Sequence, residues 1–123
     1  MKKLSVIFML VLFATSLFAR IDVANQETIE DNLLVGLKSQ NLGLKTSAAY
    51  LLGELGTDKS VNSLLSVLKS GNTEEARISA ALALTKINTE KAMFAVKQRA
   101  TFDDSERVRR LCGMFYNQTL QNN

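Results

Sequence analysis

The stretch LKTSAAYLLGELGT, residues 44–57, returns in altered form as ARISAALALTKINT, residues 76–89, at an offset of 32 positions. A second pair precedes these two segments: NLLVGLKSQN, residues 32–41, matches SLLSVLKSGN, residues 63–72, at an offset of 31. A fainter third copy is VRRLCGMFYNQT, residues 108–119. Self-similarity at a period of roughly 20–50 residues is typical of repeat proteins, in which each unit packs on its neighbours. The sequence therefore predicts a stack of units.

The apolar residues of the three copies fall in shared columns at the spacing i, i+4, i+7, i+8. This spacing places them on one face of an α-helix. The columns are Leu44, Ala76 and Val108; Ala48, Ala80 and Cys112; Leu51, Ala83 and Phe115; and Leu52, Leu84 and Tyr116. The paired alanines Ala48–Ala49 and Ala80–Ala81 predict that neighbouring helices approach each other closely.

Further apolar stripes lie between these helices, so each unit contains two helices and two turns. The pattern predicts helices at about 26–38, 43–55, 59–70, 73–87, 89–101 and 105–118. No segment shows sustained strand alternation, and the chain has no proline to interrupt a helix. The predicted fold class is all-α: an α-α superhelix, or solenoid, of about three helical pairs in one domain over residues 20–123.

Two turn sequences have the spacing of a capping box, Asn72 with Glu75 and Asp103 with Glu106. In that motif the first side chain accepts a hydrogen bond from the start of the helix, and the acid three residues later accepts one in return. The sequence therefore predicts that helices start at these two places. Residues 56–58 (GTD) predict a turn between the two helices of the first unit.

Residues 1–19 have the composition of a secretory signal peptide, and a compact one of bacterial appearance. A basic start precedes an apolar stretch, residues 4–18, and the small residue Ala19 follows it. Such signals have an apolar stretch of about 7–15 residues and a small residue at the cut, whereas spanning a bilayer takes roughly 20 apolar residues. We expect cleavage after Ala19 and an exported chain, periplasmic or secreted. Cleavage after Ser16 and retention as an anchor are the alternatives.

The charge balance argues against a nucleic-acid partner. The whole chain has 15 Lys and Arg residues against 12 Asp and Glu, and loss of Lys2 and Lys3 with the signal leaves 13 against 12, a net charge of +1. Nucleic-acid binding needs a concentrated basic patch, and the basic residues between 97 and 110 are mixed with acids. We expect no nucleic-acid partner and, after cleavage, no membrane partner.

The sequence contains no constellation typical of catalysis or of metal binding. Histidine is absent, which removes the commonest general base and the commonest metal ligand. The only cysteine, Cys112, shares a column with Ala48 and Ala80, so we expect a buried side chain rather than a nucleophile. A reactive or pairing thiol is the alternative. The prediction is a non-enzyme with no catalytic residue, no cofactor and no metal.

Two segments, residues 45–72 and 77–98, resemble HEAT repeats, nearest the short bacterial type also seen in phycobilisome-lyase HEAT-like repeats. The likeness rests on the paired alanines and on the Leu-Gly-x-Leu-Gly motif of residues 52–56, and it covers about residues 28–118. It implies a solenoid and says little about function. The chain departs from the pattern at Asn72, where an acid is common, and in its degenerate third copy, which suits a terminal unit.

A basic residue follows the first apolar column in every copy, at Lys45, Arg77 and Arg109. The resemblance implies that these side chains bridge to neighbouring units through acids and carbonyls of the loops. A ladder of anion-binding sites is the alternative interpretation.

The resemblance also implies that the second helix of each unit lines a concave face on which partners bind. On the repeat alignment, the residues of that face are Asp31, Asn32, Val35, Asn62, Ser63, Ser66, Phe94 and Gln98. Val35 and Phe94 are apolar where a solvated face is polar, which indicates a contact patch. A shift of register would instead bury Phe94.

These observations favour an exported, non-enzymatic module or adaptor that binds a protein partner in the periplasm or envelope. An accessory or lyase-like protein of an enzyme system, implied by the resemblance alone, is one alternative. A self-assembling structural element is another. It would form a homo-oligomer through the C-terminal helix, where an apolar patch is predicted at Leu111, Met114 and Leu120.

Overall fold

The three-dimensional structure is a computed structural model. It describes the backbone of residues 2–122 and the side chains of Met9, Arg20 and residues 22–122. All regular structure in that backbone is helical: α1 Lys2–Leu37, α2 Leu42–Leu55, α3 Asp58–Ser70, α4 Glu74–Ile87, α5 Glu90–Phe102 and α6 Glu106–Gln121. The predicted all-α class is confirmed.

Five predicted helices agree with α2–α6 to within a few residues at each end, but the first does not. Helix α1 begins at Lys2 rather than near residue 26. The chain has no proline, and its first glycine is Gly36, so no residue in this segment breaks the helix. The predicted signal peptide, residues 1–19, lies outside the residues whose side chains are described, apart from Met9.

The chain divides into two compact units, Met1–Asp31 and Asn32–Asn123. The first unit is helical, and its described side chains are exposed except for Glu30. The second unit contains the last turns of α1 and the helices α2–α6. The candidate site described below lies on this second unit.

Helices α2–α6 each begin at a polar residue whose side chain accepts a hydrogen bond from the backbone N–H three residues later. These N-caps are Asn41, Thr57, Thr73, Thr89 and Ser105. The predicted capping boxes are therefore wrong by one or two residues: Thr73 rather than Asn72 caps α4, and Ser105 rather than Asp103 caps α6. Hydroxyl caps satisfy the free amides of the first turn, and they leave Asp103 available for another contact.

The two turns inside the repeat units have the same construction. Gly56 ends α2 at φ 65° and Asn88 ends α4 at φ 58°, both in the left-handed region. Glycine and asparagine are the residues that adopt this conformation at a helix C-terminus most readily. A threonine cap follows each of them, so the predicted turn at residues 56–58 is confirmed and recurs in the next unit.

The second unit has two layers. Helices α2, α4 and α6 lie side by side with α4 in the middle, and α3 and α5 form the other layer across from α4. The core lies between the layers and consists of Leu37, Ala48, Ala49, Leu52, Val61, Leu64, Leu68, Ala80, Ala81, Ala83, Leu84, Ala92, Val96, Val108 and Cys112. Three of these alanines, Ala80, Ala81 and Ala83, lie on α4, which contacts α2, α3, α5 and α6.

Helices α2 and α4 approach each other closely at Gly53. A Cβ atom placed on Gly53 would lie 3.0 Å from the Cα atom of Ala83 and 3.0 Å from its Cβ atom. A larger residue at either position would push two backbones apart, since the neighbouring atoms are not the ends of flexible side chains. Of the four alanines predicted to allow close approach, Ala48 does so at the end of α1, where a Cβ atom placed on Gly36 would lie 3.2 Å from the Cβ atom of Ala48.

Candidate interaction face

A groove of about 300 Å³ lies between the last turns of α1 and helix α3. Aliphatic side chains line it together with polar side chains of α3 and one lysine. The lining residues are Leu34, Leu37, Lys38, Asn62, Ser63, Ser66 and Val67, all of the second unit. We call it the first groove.

A second groove of about 270 Å³ lies between α3 and α5. It combines an aliphatic floor, one aromatic ring and three polar or basic side chains. The lining residues are Leu65, Leu68, Lys69, Phe94, Ala95, Gln98 and Arg99. Both grooves are therefore formed by consecutive members of one series of helices: the end of α1, then α3, then α5.

The two grooves are equivalent positions of the repeat. Leu34, Leu37 and Lys38 in the first groove correspond to residues 65, 68 and 69 in the second, at an offset of 31. Leu37 and Leu68 are buried, whereas the two lysines are exposed. The repeated Leu-Lys-Ser sequence thus gives each groove a leucine on its floor and a cationic side chain at its edge.

Two hydrogen bonds connect α3 to α5 at opposite ends of the second groove. The Nζ atom of Lys91 donates to the Oδ1 atom of Asn62 over 2.8 Å. The Nη2 atom of Arg99 donates to the backbone carbonyl of Lys69 over 3.1 Å. These contacts hold the two helices at a defined separation, so the groove between them exists before any partner binds.

The structure brings together five of the eight residues predicted for the partner face. Asn62, Ser63 and Ser66 line the first groove, and Phe94 and Gln98 line the second. The other three line neither of these two grooves: Asn32 and Val35 are exposed on the last turns of α1, and Asp31 is exposed in the first unit. Lys38 and Lys69 were not predicted for this face, although each is the second residue of the repeated pentapeptide.

Phe94 is 63% exposed, so the alternative in which a shift of register buries this ring does not hold. Val35 is exposed as well. A single exposed apolar residue is common on any protein surface. An aromatic ring at the edge of an aliphatic groove is less common, because it keeps apolar area in contact with water that a partner would remove.

The basic column predicted to bridge between units does so at Arg77 and Arg109. Arg77 donates from Nε and Nη2 to the two carboxylate oxygens of Asp103, each over 3.0 Å, and from Nη1 to the carbonyl of Gly71 over 2.8 Å. Arg109 donates to the carbonyls of Asp103 and Asp104. The bridging interpretation is confirmed for these two arginines, which hold the loops on either side of the α4–α5 pair.

Asp103 is buried, and its carboxylate also receives the backbone N–H of Ser105 and lies 3.5 Å from Arg99. Burial raises the pKa of Asp103, but hydrogen bonds from Arg77 and Ser105 and the charges of Arg77 and Arg99 outweigh it, so the pKa is lowered overall. The carboxylate is therefore charged in the folded chain at neutral pH.

Cys112 is buried in the core, in the same column as Ala48 and Ala80. Burial, with a smaller contribution from the charge of Asp103, raises the pKa of its thiol to about 11. Thiolate is the nucleophilic form of cysteine, so this side chain is a packing residue. The expectation of a buried cysteine is confirmed.

A third groove, of about 320 Å³, lies in the other layer between α2 and α4. Tyr50, Leu82 and Lys86 are among its lining residues. The Lys86 ammonium lies 4.9 Å from the centroid of the Tyr50 ring and pairs with the carboxylate of Glu54. A cation over an aromatic face stabilises by roughly 0.5–1 kcal/mol at exposed sites. This contact was not predicted.

Among the described side chains, no group of three His, Cys, Asp or Glu residues is placed to hold a metal ion. In the part of the chain that the structure describes, none of the helices combines the length and the apolar character needed to cross a membrane.

Comparison with known proteins adds the family. A sequence model of HEAT repeats matches residues 30–114, well over half of the chain. The chain belongs to the HEAT-repeat family. Among solved structures, human deoxyhypusine hydroxylase in complex with glycerol is similar, with 25% sequence identity, a TM-score of 0.64 and coverage of 76% of this chain. A search of curated proteins found no match.

This HEAT-repeat chain spans only 32% of the hydroxylase chain. The resemblance therefore concerns part of that protein, and the hydroxylase activity is a property of the larger enzyme. What the two share is the helical repeat. Stacked repeats of this kind create extended concave surfaces that repeat proteins use for binding.

Proposed function

We propose that this HEAT-repeat chain is a protein-interaction module or adaptor that binds a segment of a partner protein along the first and second grooves. The observation that carries the proposal is the equivalence of the two grooves, each with a buried leucine on its floor and an exposed lysine at its edge. Two like grooves side by side favour a chain molecule, which makes the same kind of contact twice.

The chemistry of the grooves supports a partner segment with apolar and acidic side chains. Phe94 and the aliphatic floors favour apolar anchors. Lys38 and Lys69 favour carboxylates, since complementary charge directs encounter and sets register more than it adds affinity. The chain acts in this proposal without catalysis of its own, because its single thiol, Cys112, is buried and lines neither groove.

We also propose that the chain is exported, with processing after Ala19. The support is the lysine-led apolar segment at residues 1–19. Fractionation of cells that produce the full chain, followed by N-terminal sequencing, tests this. A periplasmic or secreted product that begins at Arg20 supports export. A product that keeps residues 1–19 and stays with the membrane identifies the segment as an anchor instead.

Site-specific photocrosslinking tests the interaction face. A benzoylphenylalanine replaces Phe94 in the second groove, and a matched chain carries it at Leu82, which is exposed in the other layer at 47%. The expected result is a discrete adduct from position 94 and none from position 82. Phe94→Ser should reduce the yield of the same partner when the crosslinker is moved to Gln98, without changing the melting temperature.

The proposed face is wrong if position 82 gives the discrete adduct and position 94 does not. It is also wrong if Phe94→Ser leaves the crosslinking yield at Gln98 unchanged. Circular dichroism of each variant shows whether the helical fold is retained, so that loss of binding is separated from loss of structure.

A further inference from the structure

The first and second grooves have basic side chains and no acid in their linings. Lys38 lines the first groove, Lys69 and Arg99 line the second, and no Asp or Glu is among the described residues that line either groove. Arg99 lies 3.5 Å from the buried carboxylate of Asp103, so its charge is partly neutralised. Lys38 and Lys69 are exposed, and neither forms an ion pair with a described acid. Each groove therefore keeps one cation that a partner's carboxylate can meet.

The repeat fixes the distance between these two charges. Lys38 follows the end of α1 directly, and Lys69, at an offset of 31 residues, lies in the last turn of α3. Neighbouring packed helices lie about 8–10 Å apart. Two side chains at equivalent positions of neighbouring helices are therefore separated by about one such step, and the two groove floors are separated by the same step.

A peptide in the polyproline II conformation matches this step. It has three residues per turn and rises about 3.1 Å per residue, so residues i and i+3 lie on the same side, about 9 Å apart. In a β-strand, residues i and i+3 point to opposite faces. An α-helix is about 10–12 Å wide with its side chains. It would rest on the rims of grooves whose floors, at Leu37 and Leu68, are buried between helices of similar spacing.

The backbone chemistry of the grooves favours the same conformation. Two helices form the walls of each groove, and the backbone N–H and C=O groups inside a helix are already paired with each other. Such walls offer few free backbone groups to a strand that needs a hydrogen-bonding partner. Polyproline II has no internal hydrogen bonds and keeps its backbone solvated, so a segment of this kind binds through its side chains alone.

We propose, on the basis of the proposed function, that the partner segment crosses both grooves in the polyproline II conformation and has an acidic residue at every third position. One side of the segment directs carboxylates to Lys38 and Lys69. The second side places apolar side chains on the aliphatic floors and beside Phe94, and the third side faces solvent. The class of partner is thus an extended acidic and apolar motif with a period of three residues, matched to the period of the helices.

Fluorescence anisotropy of dye-labelled peptides tests the spacing and the conformation. The two probes are three repeats of Glu-Leu-Pro and three repeats of Glu-Pro-Leu, one for each direction of the segment. In both probes proline takes the side that faces solvent, and its fixed φ favours polyproline II. We expect one probe to bind the folded chain at least about tenfold more tightly than a control peptide of the same composition with its glutamates in one block.

Charge reversal tests the two lysines. Lys38→Glu and Lys69→Glu should each weaken binding of the better probe by at least about tenfold in Kd, and the double variant should bind a peptide in which lysine replaces every glutamate. Lys97→Glu is the matched control, because Lys97 is exposed on α5 but lines neither groove. It changes the net charge equally and should leave the Kd nearly unchanged. Circular dichroism shows whether each variant keeps its helical fold.

The motif is wrong if the control peptide binds as tightly as the better probe. It is also wrong if replacing proline by alanine in the probe tightens binding, because alanine favours a helix. A loss on Lys97→Glu as large as that on Lys69→Glu overturns it as well, since the attraction then depends on net charge alone. If neither probe binds while position 94 still crosslinks a discrete partner, the motif fails and the proposed function stands.

Discussion

The guanidinium of Arg77 holds the carboxylate of Asp103 by two parallel hydrogen bonds of 3.0 Å each, across 26 residues of sequence. Arg77 is near the start of α4, and Asp103 follows the end of α5. The third hydrogen bond of Arg77, to the carbonyl of Gly71, reaches the turn before α4. One side chain therefore connects two successive turns between units, and a bidentate pair of this kind fixes geometry as well as charge.

Acid should destabilise the chain through Asp103. Its pKa is lowered on folding, so its contribution to stability is fully present above the unfolded pKa, about 3.9, and is lost as the pH falls through the folded pKa. The free energy of unfolding from urea titrations should therefore decline below about pH 4. Asp103→Asn should remove the part of this decline that Asp103 causes. The free energy of unfolding of this variant should therefore depend less on pH than that of the unmodified chain.

Asp103→Asn should itself reduce the free energy of unfolding at pH 7 by about 3 kcal/mol, since it leaves the half-buried guanidinium of Arg77 without a charged partner. Urea denaturation followed by circular dichroism measures this. Asp104→Asn is the control: Asp104 is the exposed neighbour, and its substitution should change the value by less than about 0.5 kcal/mol. Equal losses in the two variants would mean that the Arg77 pair contributes nothing specific.

Substitution by alanine should change the stability differently at two glycines inside helices. At Gly113 a Cβ atom would lie 3.8 Å from the Cβ atom of Ala100, an ordinary contact. Gly113→Ala should therefore stabilise by about 0.5–1 kcal/mol, the gain in helix propensity. At Gly53 the added Cβ would press on the backbone of Ala83. Gly53→Ala should therefore show no such stabilisation, and Gly53→Leu should lower the free energy of unfolding by roughly 1–3 kcal/mol. Thermal melts compare the three variants.

Cys112 should react with thiol reagents only when the chain opens. Burial raises the pKa of its thiol to about 11, so at pH 8 labelling of the folded chain should be at least about a hundredfold slower than labelling in urea. Asp103→Asn should speed up labelling of the folded chain, since it lowers the cost of opening near α6. Labelling of the folded chain at the unfolded rate would show that Cys112 is accessible, and would revive the reactive-thiol alternative.

The helices were predictable because their information is local. The spacing of Leu44, Ala48 and Leu52 marks a helix face without reference to any other part of the chain, and residues 56–58 mark its end. The start of α1 was not predictable in the same way. A change from apolar to polar residues near Arg20 suggested a boundary, but the segment contains no proline, and no glycine before Gly36, that would break the helix there.

The caps show the limit of local patterns. Asn72 and Asp103 have capping-box spacing, but Thr73 and Ser105 lie closer to the helix starts and take the role. Asp103 does not cap α6 because four donors hold it in other contacts. Arg77, by two hydrogen bonds, and the backbone N–H of Ser105 donate to its carboxylate, and Arg109 donates to its carbonyl. No local pattern shows where those donors will lie.

The sequence by itself determined the period, helices α2–α6 and the family, because the amphipathic spacing repeats at every unit. Only the tertiary structure decided which columns are covered. Leu44 and Ala76 share a column, yet Leu44 is exposed and Ala76 is buried, since burial depends on how much of each side chain the neighbouring elements cover. The two grooves likewise arise from pairs of helices. Their leucines and lysines belong to the repeated pentapeptides, but each groove exists only because the last turns of α1, α3 and α5 lie side by side.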